Sequence, residues 1–513
     1  MLLNCNPIDV KPLPDPDPIP EPIPEPEDGE TSISKSELTV FEAPTGAPEN
    51  LTYSVCVRYD GGAWVDLHEY DAGVDGGFGT EPLGHMSFVS FDSDFSKRID
   101  VKVEKIDGTI RFAKIRPESA AINYTLEGNK IEFSLTEPTK ISVEMNGNLL
   151  NNLMVFANSL ETDIPDSTDA DLHYFGPGIH KIGEDGRGTL SVVSNETVYI
   201  AGGAIVYGTI KIIDPSYKAI TNVTIKGRGI LSGSMFDSHP YNHPEHGSTS
   251  PLIHLNIVND AKIEGIILHN TVKWNVHMHY CKRIDLTDLK IMSWTINSDG
   301  IDPQVSSDIR IDNCFVRNHD DCVSIKLSWF GGGIQSLGAR NISIENCLFW
   351  TDQGRAVLIG PELASTSDKV VEDIIVRNTD ILYTENYTSQ DTDWAKGVLA
   401  INCGDDAIVR NILFEDIRID KLGSETNLIT INMVKTPYSG SEGNRVENIR
   451  FNRVSLNSKP TLNNFIQGFS ADRMISGVYF TDLMIEGSYI STAEEGYFVI
   501  NEFTEKIEFS LSD

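Results

Sequence analysis

Three carboxylates are spaced so that a folded chain can bring them together. They are Asp299 and the adjacent pair Asp320 and Asp321, in the stretch NSDGIDPQVSSDIRIDNCFVRNHDDCVSIK at 297–326. Clustered carboxylates resist joint ionisation, so one keeps its proton while a neighbour stays charged. That combination serves glycoside hydrolysis, which needs a proton donor at the leaving oxygen and a second carboxylate that attacks or holds a water. Two plainer roles compete for the same residues. An Asp–Asp pair also suits a solvated turn, or, with Asp302 and Asp308, part of a calcium ligand set, although the spacing matches no EF-hand loop. No HExxH, P-loop or GxSxG pattern occurs, and no cofactor or metal is expected.

What must position these acids is a set of short strands. Apolar residues alternate through Ile309, Ile311, Cys314 and Val316, then Val323 and Ile325, the period of a strand. Similar units start at Ile263, Ile284, Ile309, Ile342, Ile374, Ile412, Ile449 and Val478, at intervals of roughly 20 to 40 residues, the range of solenoid repeats. No helical pattern separates them, so stacked coils of a right-handed parallel β-helix are expected over 169–513. Asn313, Asn346 and Asn378 recur at one place in the unit and read as a turn ladder. Neighbouring strand residues point to opposite faces, so Asp320 and Asp321 share a site only if the backbone bends there.

Ahead of the coils, residues 35–168 carry alternating runs such as LTYSVCVRY, RIDVKVEKI and INYTLEGNKIEFSL, split by Asp60-Gly61-Gly62, Asp107-Gly108 and Asn146-Gly147. Short antiparallel strands with such turns predict a β-sandwich. Residues 1–34 are acidic and proline-rich, the composition of an extended tether. Leu2 and Leu3 shortly before Cys5 resemble the end of a bacterial lipoprotein signal, with Cys5 as the lipid-bearing residue. A secreted, periplasmic or surface-tethered location is therefore expected.

The net charge of −34 sets 75 acidic against 41 basic residues. Such a field opposes nucleic acid and disfavours a polyanionic substrate. The seven cysteines fit no zinc template and read as core thiols.

The 297–326 stretch and its flanks resemble the polygalacturonase and dextranase-like β-helix glycoside hydrolases, families 28 and 49. Asn297-Ser298-Asp299-Gly300-Ile301-Asp302 is similar to the first family block, and His319-Asp320-Asp321-Cys322 to the second, one coil later. The resemblance implies Asp320 as general acid, Asp299 and Asp321 as the pair holding the attacking water, and inversion at the anomeric carbon. Two departures stand out. Gly354-Arg355-Ala356 replaces a Gly-His-Gly block, and Gly397-Val398-Leu399-Ala400-Ile401-Asn402 lacks the Arg-Ile-Lys block that grips a uronate, with Leu399 and Ile401 at that grip and Lys396 out of its register. The β-sandwich before the helix and the lysine at 326 resemble family 49 more closely.

The expectation is a hydrolase of a polysaccharide, with a neutral, dextranase-like glycan ahead of polygalacturonan. Asn297, Lys326, Arg355, His277 and Trp329 are expected to contact the substrate, with Trp274, Trp294 and Trp350 as further sugar-platform candidates balanced against core packing. Segments 232–249 and 328–338 are candidate cleft walls. A lyase on the same fold and a non-catalytic carbohydrate-binding solenoid are the competing expectations.

Overall fold

A computed structural model describes residues 37–74, 83–236, 251–327, 338–365, 368–386 and 396–512. The tether with Cys5, Trp329 and most of both candidate cleft walls lie outside the described residues. Within them the protein is built from strands, with one short 3-10 turn at Glu118–Ala120.

Two sheets of six and five strands face each other in the N-terminal part. Lys130–Leu135 alternates strictly, with Ile131, Phe133 and Leu135 buried and the residues between them exposed. That is the pattern of a strand with one face on a core and one in water. Pairing is antiparallel except between Leu153–Ser159 and Gly84–Ser93, which run parallel. The expectation of purely antiparallel strands is corrected at this pair, since Leu153–Ser159 joins a strand from far earlier in the chain rather than only its hairpin partner at Thr139–Met145.

From Leu172 onward the chain winds as a parallel β-helix. Each early coil contributes three strands, for example Ile220–Gly227, Ile230–Ser232 and Ile253–Asn256. The first two join a 21-stranded sheet and the third an 11-stranded sheet. One coil buries little of its own apolar surface, so its stability comes from neighbours. Ile225, Ile263, Leu286, Ile311, Ile344, Val376, Phe414, Phe451 and Phe480 fill one core row. Its last members stack ring on ring, Phe414 to Phe451 at 4.9 Å and Phe451 to Phe480 at 5.0 Å.

The coil turns use left-handed backbone, which Asn and Asp tolerate better than other non-glycine residues. Asn313, Asn346 and Asn378 have φ of 53°, 56° and 47°. Asn378 donates to Asn346 at 2.7 Å, a rung of the expected ladder, whereas Asn346 donates to Asp312 at 2.6 Å, one residue before Asn313. The six described cysteines are buried free thiols.

The sandwich docks on the 21-stranded sheet. Phe88 and Phe156 pack with Phe315, Trp350 and Leu382. Arg228 reaches Asp92 at 3.0 Å, and Lys140 reaches Asp288 at 2.7 Å. This docking consumes two of the tryptophans. Trp350 is wholly buried, and the Trp294 ring lies so close to Gly73 that a Cβ there would sit 2.5 Å from it. Their expected availability as sugar platforms is thereby corrected, whereas the described helix residues of this apolar cluster that lie on strands all belong to the 21-stranded sheet and none to the 11-stranded one.

Candidate active site

The acids are assembled by coil register. Gly300 N–H donates to the Asp321 carbonyl at 2.8 Å, and Cys322 N–H donates to the Arg355 carbonyl at 2.9 Å. Asp299, Asp321 and Arg355 therefore occupy equivalent places on three successive coils, where the chain turns into the 11-stranded sheet. The register unit is Asp299 to Asp321, with Asp320 one residue earlier in a bend at 319–320. The backbone thus departs from strand geometry where two adjacent carboxylates must share one site.

Buried amides hold this bend. Asn318 Nδ2 donates to the carbonyls of Ser298 and Asp321 at 2.9 and 2.8 Å, and Thr351 Oγ1 donates to the Asp320 carbonyl at 2.7 Å. Gly354 lies directly beneath. A Cβ at 354 would stand 2.3 Å from the Asp320 carbonyl carbon and 2.7 Å from the Asp321 nitrogen. Only glycine lets the next coil come this close to the acid pair.

The three carboxylates differ in their surroundings. Burial, then Asp299 and Asp321, pushes the Asp320 carboxyl well above the usual range. Burial also raises Asp321, but Arg355 opposes the rise: its backbone N–H donates to Asp321 Oδ1 at 2.8 Å, and its Nη1 lies 3.3 Å from the same oxygen. Asp299 meets the Lys326 ammonium at 3.0 Å. That ammonium also meets Asp302 and Glu362, both at 3.4 Å. The cluster is therefore one buried acid without a cation contact among the described residues, beside two carboxylates each held by a cation.

The other expected residues fall around this centre. Asn297 is half-buried in the turn before Asp299, with φ of 57°. His277 pairs in register with Asp302 on the sheet floor, hydrogen-bonds Gln304 at 2.8 Å and packs 4.7 Å from Trp274. Lys326 Nζ lies 4.9 Å from the Trp274 ring centre. Asp308 belongs elsewhere, half-buried in the strand Ser307–Asp312, where Asn341 donates to it at 2.7 Å. Among the described residues no cluster of His, Cys, Asp or Glu is arranged to hold a metal ion.

Sequence reasoning missed Glu362, which lies beyond the acid stretch and reaches Lys326 only through the fold. The alternation that buries Ile301 places Asp302 on the other face, a legible signal for its presence on the floor. One expectation needs correction. Leu399 and Ile401 point into the helix core, in register with Val357 and Ile359, so neither stands in the cleft. The positions of this strand on the cleft face are Ala400 and Asn402, beside Thr430 and Asn432 on the next coil. They are uncharged.

Dex49A from Penicillium minioluteum shares the whole layout with a TM-score of 0.60, at 16% identity over 94% of this chain and 97% of that one. A probable polygalacturonase from Vitis vinifera is 29% identical over 169 residues, 31% of this chain and 32% of that protein. Another, from Arabidopsis thaliana, is 24% identical over 286 residues, 54% of this chain and 55% of that protein. The chain thus aligns with about a third to just over half of the length of these relatives. The family model described as Glycosyl hydrolases family 28 matches residues 205–496, more than half of the chain and all of the acid cluster. The chain therefore belongs to glycosyl hydrolase family 28.

Proposed function

We propose that the protein hydrolyses a glycosidic bond of a polysaccharide or oligosaccharide with inversion, using Asp320 as general acid and Asp299 with Asp321 to hold and deprotonate the attacking water. One observation carries this assignment: Asp320 is pushed strongly toward its protonated form, while Asp299 and Asp321 sit against Lys326 and Arg355. A buried acid kept from cations beside two carboxylates that meet them is the division of labour that inverting hydrolysis requires. Lys326 and Arg355 then act through the carboxylates that they hold, and Asn297, His277 and Trp274 line the approach.

The sugar over Ala400 and Asn402 is uncharged, because a uronate there would lose its water without gaining a cation on these positions or on Thr430 and Asn432 beside them. The net charge of −34 works in the same direction. A neutral, dextranase-like glycan is therefore preferred. Polygalacturonan is the second candidate, favoured by the names of the relatives in Vitis vinifera and Arabidopsis thaliana. A polymer of either kind is met outside the cytoplasm, with the protein secreted or held at a membrane surface through Cys5. Mass spectrometry of the native N-terminal peptide tests the anchor, and an unmodified Cys5 removes it.

The deciding experiment is a screen of neutral and acidic polysaccharides, with the products followed by anomeric NMR. Initial products of inverted configuration are expected. Retained configuration, or an unsaturated product absorbing in the ultraviolet, refutes the assignment.

A further inference from the structure

The peptide unit between Gly354 and Arg355 is bonded on both sides. Its N–H, contributed by Arg355, donates to Asp321 Oδ1 at 2.8 Å. Its carbonyl, contributed by Gly354, accepts from Asn386 Nδ2. One planar group thus links a carboxylate of the cluster to a side chain that lies outside it.

Asn386 is wholly buried, two residues past the strand Val370–Thr384. Its Oδ1 accepts the Gly397 N–H at 3.1 Å, so the amide bridges two successive coils near their entry to the 11-stranded sheet. These partners fix which way the amide faces, since a carbonyl can only accept and an N–H can only donate. The main chain of Asn386 is held too. Its N–H donates to Glu385 Oε1 at 3.2 Å, and the same carboxylate accepts the N–H groups of Ser424 and Glu425, both at 3.0 Å. The corner is thereby tied to the coil beyond.

Hydrogen bonds in series through one peptide polarise one another. Donation to the Gly354 carbonyl draws electron density from the amide nitrogen and makes the Arg355 N–H a better donor. The same bond resists rotation of the plane away from Asp321. A glycine at 354 is required by the close approach to Asp320 and Asp321, and it leaves its own backbone loosely restrained. The restraint therefore has to come from a neighbour. Asp321 is surrounded by other charges: burial raises its carboxyl, the Arg355 guanidinium, Lys326 and the Arg355 N–H lower it, and Asp299 opposes them. Asp320 and Asp302 face it as well. Asn386 is uncharged, so replacing it leaves every one of these charges in place and alters only the hold on the peptide.

We propose that Asn386 is a positioning residue for the hydrolysis: it fixes the Gly354–Arg355 peptide so that the Arg355 N–H aims at Asp321 and keeps this carboxylate placed to hold the attacking water. This rests on the glycosidase assignment above and adds a residue from outside the acid stretch to its machinery.

The test compares the parent with Asn386→Leu, which keeps a branched side chain without donor or acceptor. A fall in kcat of about 10- to 10²-fold is expected, with a much smaller change in KM. The acid limb of the kcat/KM profile should move up by about 0.5–1 pH unit, more than the polarisation of one bond and less than its loss. A uniform fall with the acid limb unmoved means a merely structural role and overturns the proposal. A second readout follows the peptide directly. Labelling with glycine carbonyl ¹³C and arginine ¹⁵N selects the Gly-Arg pairs, of which the chain has three, at Arg187, Arg228 and Arg355. The Arg355→Met variant identifies the signal of residue 355 by its disappearance. In the parent this amide should titrate with the acid limb, and in Asn386→Leu at higher pH. An amide insensitive to pH in the parent, or an unchanged midpoint in the variant, overturns the proposal. Should Asn386→Leu fail to fold, Asn386→Ala decides on the same terms. Failure of the parent to hydrolyse any glycan overturns the glycosidase assignment; the amide signal needs no turnover and still decides whether Asn386 sets the hold on Asp321.

Discussion

Replacing Arg355 with Met tests the division of labour in the acid cluster. The change keeps the aliphatic stem and removes a charge 3.3 Å from Asp321 Oδ1. The backbone N–H of residue 355, at 2.8 Å from the same oxygen, remains. At an effective dielectric constant of about 20, a pair at this distance interacts by roughly 5 kcal/mol before any desolvation is returned. The realised effect of an adjacent arginine on an aspartate is about 1–3 pKa units, or about 1.4–4 kcal/mol. Arg355 lowers a carboxyl that burial raises, so its loss moves Asp321 further up. Catalysis needs Asp321 ionised and Asp320 protonated. The acid limb of the kcat/KM profile should therefore shift to higher pH by about 1–3 units, while the alkaline limb, set by Asp320, on which Arg355 acts only as a lesser cause, moves up by less. The bell narrows. The assay is kcat/KM against pH on the best glycan of the screen, with thermal melting as a control for folding. An unmoved acid limb with a uniform fall in kcat/KM would refute the reasoning and make Arg355 a substrate contact. An alkaline limb that moves further than the acid limb would exchange the roles of Asp320 and Asp321.

Three further outcomes are expected. Asp320→Asn should lower kcat at least ~10²-fold, the lower end of general-acid effects. It should not lower the melting temperature at pH 7: a carboxyl whose folded pKa is raised destabilises the fold as pH rises through that value, and the amide removes this cost. Clear destabilisation at pH 7 would contradict the buried-acid assignment. Gly354→Ala must displace the Asp320–Asp321 backbone and should cut kcat about 10²-fold, with a much smaller change in KM. Normal kcat would mean that the bend need not be held. Phe451→Ala breaks the aromatic stack between Phe414 and Phe480 and should cost about 3–5 kcal/mol in denaturant unfolding, with the pH profile unchanged. A loss below 1 kcal/mol would show that the stack collapses around the gap.

Much of the architecture was legible because its signals are local. Alternation in Lys130–Leu135 and in the repeats at Ile309 and Ile342 reports burial of one strand face, and the recurring Asn313, Asn346 and Asn378 report left-handed turns. The acids were legible for a related reason. A coil of regular length turns sequence spacing into spatial register, so Asp299 and Asp321 fall side by side. The tryptophans were not. Trp350, Trp294 and Trp274 have the same composition signal, yet Trp350 and Trp294 are taken up at the sandwich face and only Trp274 lies at the acid cluster. Which face of the helix the sandwich covers is set by long-range packing, which leaves no periodic trace in the chain.

The amino-acid sequence by itself determined the strands, the coil repeat and the presence of three acids one turn apart, since each depends on side-chain alternation and turn chemistry within a few dozen residues. Only the tertiary structure decided how those acids differ. Asp320 stays without a cation contact among the described residues, while Asp299 receives Lys326 and Asp321 receives Arg355. It also decided that Leu399 and Ile401 face the core, so that Ala400 and Asn402 line the floor, and that Asn386 reaches the Gly354 carbonyl. Charge state and cleft lining depend on neighbours contributed by other coils, and those neighbours are fixed by stacking.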